Sequence, residues 1–80
     1  MRVELNACRV LHRRAWRDTS VIVDAFSREH GRVALIAKGA RAAKSRWRGL
    51  LEPLAGLDLA WSGRGEVYTL TNAEPRGRNT

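Results

Sequence analysis

Along the first stretch of the chain the apolar residues Val3, Leu5, Ala7 and Leu11 occupy odd positions, with Glu4, Asn6, Cys8 and His12 between them. A period of two belongs to a strand with one buried face. The pattern therefore predicts a strand over residues 3–11 with its odd side chains turned inward, interrupted only by Val10. A denser β-branched run, Ser20-Val21-Ile22-Val23-Asp24-Ala25-Phe26, is separated by Arg28-Glu29-His30-Gly31 from a third run, Arg32-Val33-Ala34-Leu35-Ile36-Ala37-Lys38. Two strand-like runs around a short polar break read as a hairpin, and Gly31 supplies the positive φ that a tight connection needs. Val33, Leu35 and Ala37 share one face of the third run, while Ala34 and Ile36 opposite them imply burial on both sides for part of it.

The pattern changes at Gly39. Ala40-Arg41-Ala42-Ala43-Lys44-Ser45-Arg46-Trp47-Arg48 is rich in helix-tolerant residues and poor in β-branched ones, so a short helix or an ordered loop is expected over residues 39–51. Pro53 punctuates the chain. Leu54, Leu57, Leu59 and Trp61 then lead through the turn Ser62-Gly63-Arg64-Gly65 into Glu66-Val67-Tyr68-Thr69-Leu70-Thr71, a second hairpin. Trp61 and Phe26 lie in apolar runs and are expected in the core, and Trp47 is expected to pack inward. Val67, Thr69 and Thr71 leave the buried face of the Tyr68 strand undecided.

Five strands in a short chain leave open edges, which a sheet closed into a small barrel removes. The expected fold is all-β with a small helix inserted: a five-stranded OB-fold barrel with a short helix between strands 3 and 4. An SH3-like barrel also packs five short strands into such a length but has no need of the Ala-rich insertion. The barrel is expected over residues 1–74, with 75–80 a tail that is mobile or continues into a further segment.

Composition narrows the partner. Eighty residues make one domain, and 44% hydrophobic with 29% charged residues describes a globular chain rather than a disordered one. Fifteen Lys and Arg against 8 acids give +7, which favours a polyanion as partner. A lone cysteine, Cys8, forms no internal disulfide, and the first thirty residues lack the apolar run of a signal peptide or membrane span, so a cytoplasmic location and no membrane contact are expected.

The charge is concentrated. Between Lys38 and Arg48 stand Lys38, Arg41, Lys44, Arg46 and Arg48 with no acid among them. On a helix Arg41, Lys44 and Arg48 share a face and repel one another unless an anion lies across them. A phosphate backbone is such an anion, and about five contacts imply a log–log salt slope of roughly −3.5 on single strands. Arg13, Arg14, Trp16 and Arg17 form a second group, assigned to the connection between the first two strands. There guanidinium groups pair with phosphates, and a Trp either stacks on a base or folds over the barrel mouth. Arg64 at the tip of the second hairpin is a further candidate, whereas Arg2, Arg9, Arg28 and Arg32 read as ordinary surface charges. His12, His30 and Cys8 have no zinc spacing; Asp18, Ser20 and His12 form no oriented triad; and Gly63-Arg64-Gly65 is a turn rather than a P-loop. Neither an enzyme site nor a cofactor is expected.

Several segments together resemble a known family. They are Leu11-His12-Arg13-Arg14, the run from Val23-Asp24-Ala25-Phe26 to His30-Gly31-Arg32, Leu35-Ile36-Ala37-Lys38-Gly39-Ala40-Arg41, the stretch from Ser45-Arg46-Trp47 to Glu52-Pro53, and Trp61-Ser62-Gly63-Arg64-Gly65-Glu66. In this order they resemble the amino-terminal domain of the bacterial recombination mediator RecO, over about residues 10–74. The resemblance implies an OB-fold that binds single- and double-stranded DNA, promotes strand annealing, and works with RecR to help load RecA on DNA coated with single-strand-binding protein. It also implies that Lys38 and Arg41 belong to the basic DNA surface, and that the protein is cytoplasmic and associated with the nucleoid. Many relatives carry Pro where this chain has Ala15, which implies a less rigid segment around Trp16. A zinc site in some members and docking of the single-strand-binding protein's tail belong to a larger helical domain that follows in the family. Two other readings suit the same charge and barrel: an RNA-binding OB module, and an interaction module whose basic face docks an acidic protein.

Overall fold

The computed structural model describes residues 1–17, 19–42, 47, 49–52, 54 and 56–75. Five strands account for most of them: β1 (Arg2–Trp16), β2 (Ser20–Ser27), β3 (Gly31–Ala37), β4 (Gly56–Ser62) and β5 (Val67–Pro75). They close into a barrel in the order β1-β2-β3-β5-β4, β4 returning to pair with β1. Every pairing is antiparallel except β3 with β5. This is the arrangement of an OB-fold.

The two hairpins fall where the apolar runs predict them. Gly31, at φ +73°, brings Ser27 opposite itself and sets β2 against β3, so that Val23 faces Leu35 and Val21 faces Ala37 in the core. In the second hairpin Leu57, Leu59 and Trp61 all point inward, and Trp61 is fully enclosed. Its indole N–H meets no acceptor, and the His30 ring stands nearly perpendicular to it at 5.6 Å between centroids. Leu70 and Ala73 complete the core from β5, three residues apart rather than two. The change of phase lies opposite a register irregularity between Ala60 and Trp61, which is why the Tyr68 strand showed no clean alternation.

The same effect corrects the reading of β1. The odd residues Leu5 and Leu11 are exposed, at 40% and 36%, while Asn6, Cys8 and Val10 are buried with Val3. A register shift between Val3 and Asn6 against β4 switches the inward face from odd to even positions, and Val10, which seemed to break the pattern, belongs to the core. A second shift between Val10 and His12 against β2 puts Leu11 at the irregularity. Phe26, expected in the core, is 55% exposed: the inward residues of β2 are Val21, Val23, Ala25 and Ser27, which leaves Phe26 on the outer face.

Burying Asn6 requires partners for its amide, and they are present. Its Nδ2 donates to the carbonyls of Glu4 and Leu59 at 2.9 Å, and its Oδ1 accepts from Ser27 Oγ at 2.6 Å. Ser27 Oγ in turn accepts the backbone N–H groups of Glu29 and His30. One polar cluster thus ties β1, β4 and the β2–β3 turn together.

The helix expected between the third and fourth strands is not seen among the described residues: those flanking it, 38–41, 47, 49 and 50, are in turns, and residues 43–46 and 48 lie outside the description. Of the expected tail, Pro75 closes β5 opposite Leu57, and residues 76–80 lie outside the description. No helix among the described residues is long and apolar enough to cross a membrane.

The inverted parity of β1 is testable. Val10→Ala removes two buried carbons and opens a cavity, so unfolding in urea should show a loss of about 2 kcal/mol. Leu5→Ala should cost less than about 0.5 kcal/mol. A larger loss for Leu5→Ala than for Val10→Ala would place β1 in the opposite register.

Candidate nucleic-acid interface

The second half of β1 carries the first basic group. Arg13, Arg14 and Trp16 are strand residues paired with Val23, Ile22 and Ser20, not members of a connecting loop; only Arg17 is in the turn. This corrects the expected strand end at residue 11. Alternation then separates neighbours: Arg13 reaches Glu52 at 3.4 Å, whereas Arg14 reaches Asp24 at 3.4 Å. Asp24 also lies 3.1 Å from His12 Nε2. Trp16 is exposed, and the Arg17 guanidinium lies 5.4 Å from its ring centroid. Arg17 has φ +56°, an unfavourable backbone state for a side chain of this size. Its carbonyl accepts a contact of 3.4 Å from Arg41 Nη1.

That contact joins the second group to the first. Arg41 also donates its backbone N–H to Thr19 O at 2.6 Å, which pins the turn after β3 against the β1–β2 turn. Gly39, at φ +72°, lets the chain reverse there, with Lys38 and Arg41 both exposed. Beneath them sits Trp47, buried, its indole N–H donating to Lys38 O at 3.2 Å. The inward packing expected for Trp47 is observed. The ring stops the barrel's end together with Leu51 and gives the basic residues a floor.

Two depressions flank this junction. One, of about 460 Å³, is lined by Arg13, Arg14, Arg41, Trp47, Leu51 and Glu52, among others. The other, of about 430 Å³, is lined by Trp16, Arg17, Ser20, Ile36, Lys38 and Gly39, among others. Arg13, Arg14, Trp16, Arg17, Lys38 and Arg41 are thus gathered at one end of the barrel. Among the described residues neither Arg17 nor Lys38 has a carboxylate partner, and Glu52 and Asp24 each answer a neighbouring Arg. Such a junction carries excess positive charge and suits a phosphate chain.

Arg64 does not join it. The turn that holds Arg64 is tied to the start of β1, with Gly63 N–H donating to Met1 O at 2.8 Å and the Met1 amine donating to Gly63 O at 2.9 Å. Lys44, Arg46 and Arg48 lie outside the described residues. Sequence reasoning missed Glu52 and Asp24 as the carboxylates that orient Arg13 and Arg14, since each pair meets only through the fold. Among the described residues no group of three His, Cys, Asp or Glu is placed to hold a metal ion.

Fold and site together define a small closed β-barrel of the OB type with a basic end. The family model described as "Recombination protein O N terminal" matches residues 1–78. The chain is 56% identical over 66 residues to the DNA repair protein RecO of Erwinia tasmaniensis, covering 82% of this chain and 27% of that protein. It is 51% identical over 76 residues to RecO of Azoarcus sp., covering 95% and 31%, and 49% identical over 75 residues to RecO of Haemophilus influenzae, covering 94% and 32%. The chain belongs to the RecO amino-terminal family, and it spans less than a third of the length of these relatives.

Trp47 separates a packing role from a charge role. Trp47→Phe keeps most of the apolar floor but deletes the donor to Lys38 O, and should lower stability by about 1–3 kcal/mol in urea unfolding. Unchanged stability would show that the indole bond adds nothing to this end of the barrel.

Proposed function

We propose that this chain is the DNA-binding module of a RecO-like recombination mediator, and that it works without making or breaking bonds. The observation that carries the reading is the convergence of Lys38 and Arg41 with Arg13, Arg14 and Arg17 over the Trp47 floor. The names of the relatives supply DNA repair as the setting. Cations held at one end of a barrel lower the repulsion between phosphate chains, so one strand is held open or two are brought close enough to pair. Binding of single- and double-stranded DNA, annealing, and RecA loading with RecR fit that mechanism. They imply a cytoplasmic, nucleoid-associated protein, with the single-strand-binding protein met through a further domain.

Anisotropy of a labelled oligonucleotide, titrated across salt concentrations, tests the reading. Affinity should fall steeply with salt, and Lys38→Glu with Arg41→Glu should flatten the log–log slope by roughly 1.4, about 0.7 for each lost contact on single strands. Affinity indifferent to salt would overturn it. Stronger binding to a matched RNA would favour an RNA module, and capture of an acidic protein without any oligonucleotide binding would favour a protein-docking role. In the same assay Glu52→Gln, which releases Arg13 from its carboxylate, should tighten DNA binding by roughly two- to threefold.

A further inference from the structure

The outer face of β1, β2 and β3 holds a second set of residues: Phe26, which the sequence pattern expects in the core, and arginines that it reads as ordinary surface charges. Phe26 projects outward from β2 and is 55% exposed. Directly opposite it stand Arg9 on β1 and Arg32 on β3. Residues opposite each other on antiparallel strands share a face, with Cβ atoms about 5 Å apart. Phe26 therefore has an arginine on each neighbouring strand, and Arg28 follows in the next turn. Arg9 is held in place, its Nη1 donating to Leu54 O at 2.8 Å, and one such bond leaves most of its five donors for another partner. A depression of about 350 Å³ lined by Ala7, Cys8, Arg9, Phe26, Arg28 and Gly56 lies beside the ring.

The same face continues toward the basic junction. Beyond Phe26 come His12 opposite Asp24, Arg14 opposite Ile22, and Trp16 opposite Ser20, while Ile36 opposite Ile22 lines one depression with Trp16 and with Lys38, two residues further on. Five residues of β2 lie between Phe26 and Ser20, a span of about 20 Å at strand rise. Among the described residues, the carboxylate in register on this stretch is Asp24, already engaged by His12 and Arg14. The face thus runs from one exposed aromatic to another, with cations beside both.

We infer that this face is a track for single-stranded nucleic acid, with Phe26 as its stacking platform, Arg9 and Arg32 as backbone contacts beside the ring, and Trp16 with Lys38 at its far end. The inference rests on the proposed DNA-binding function and adds a distinction to it. A phosphate chain satisfies the cations whether the strand is single or double, but an aromatic platform needs an unstacked base. The basic junction therefore serves both forms of DNA, and Phe26 serves single strands. Charge complementarity selects this occupant: an apolar partner surface would bury Arg9, Arg28 and Arg32 without neutralising them.

Anisotropy of a labelled thymidine oligomer and of a duplex of equal length, each with the 80-residue chain, tests the assignment. Phe26→Ala should weaken single-strand binding at least about fivefold and leave duplex binding within twofold, since stacking on one base supplies an effect of that size. Phe26→Trp should restore single-strand binding, with indole fluorescence quenched as the oligomer is added. Phe26 is a surface residue, and a urea midpoint unchanged by either substitution would exclude a folding effect. Equal binding by the Ala variant and the unaltered chain, or equal losses on both oligomers, would overturn the track while leaving the basic junction standing. Absence of binding by the unaltered chain to either oligomer would overturn both.

Discussion

One strand has to be hydrogen-bonded along both edges for this fold to exist. β1 pairs with β4 through its first half and with β2 from Cys8 to Trp16, and without that double engagement the sheet would be left with two open edges. A strand of 15 residues that serves β4 with its first half and β2 with its second must bend between them. The irregularities at Val3–Asn6 and Val10–His12 supply the bend, because an extra residue on one strand sharpens its twist and turns it across the barrel. The Asn6 cluster sits at this place for a physical reason. Reversed parity brings a polar side chain inward, and the carbonyl of Leu59 with the hydroxyl of Ser27 gives it the partners that make burial tolerable.

The length of β1 then determines the chemistry at the end of the barrel. Because the strand runs on to Trp16, Arg13 and Arg14 alternate sides instead of crowding one loop, and each meets a different carboxylate. The turn that carries Lys38 and Arg41 is brought to the same place by the N–H of Arg41 on Thr19, and Trp47 closes the space below. Packing and charge are connected at one atom, the carbonyl of Lys38, which receives the indole proton of the residue that floors the site. Like charges gathered in this way raise the energy of the free protein, and a polyanion lowers it.

Much of this could be read from the residues alone. Alternation and β-branching locate both hairpins, Gly31 marks the first turn, and the acid-free run from Lys38 identifies one half of the basic junction. What stays illegible in β1 depends on where register slips. A pattern of period two cannot register a single extra residue, so Leu5 and Leu11 look like core and Cys8 and Val10 do not. Phe26 was misplaced for a related reason. Val21, Ile22, Val23, Ala25 and Phe26 form a run too uniformly apolar to show which side faces in, and only pairing with Arg9 and Arg32 reveals the outward side. Arg13 and Arg14 stand out as candidates in the sequence but read as part of a loop, since a charged, apolar-poor segment at the end of a strand has no signal that the ladder continues.

A protein that promotes pairing must leave the edges of the bases free, and this limits the contacts the proposed function can use. Guanidinium and ammonium groups on phosphate satisfy the limit because they neutralise charge without reading sequence. An aromatic platform satisfies it too, since stacking occupies a base's flat surface and leaves its Watson–Crick edge exposed. Deep pockets with fixed donors and acceptors would bind a base more tightly and hold it away from its complement. The depressions around the junction and beside Phe26 are shallow surfaces lined mainly by long cations and apolar groups, with Glu52 the one carboxylate among the described residues that line them, an arrangement suited to many weak contacts. Weak contacts that add along a strand hold it firmly as a whole and still let it peel away one nucleotide at a time, which is the property a mediator needs when the second strand arrives.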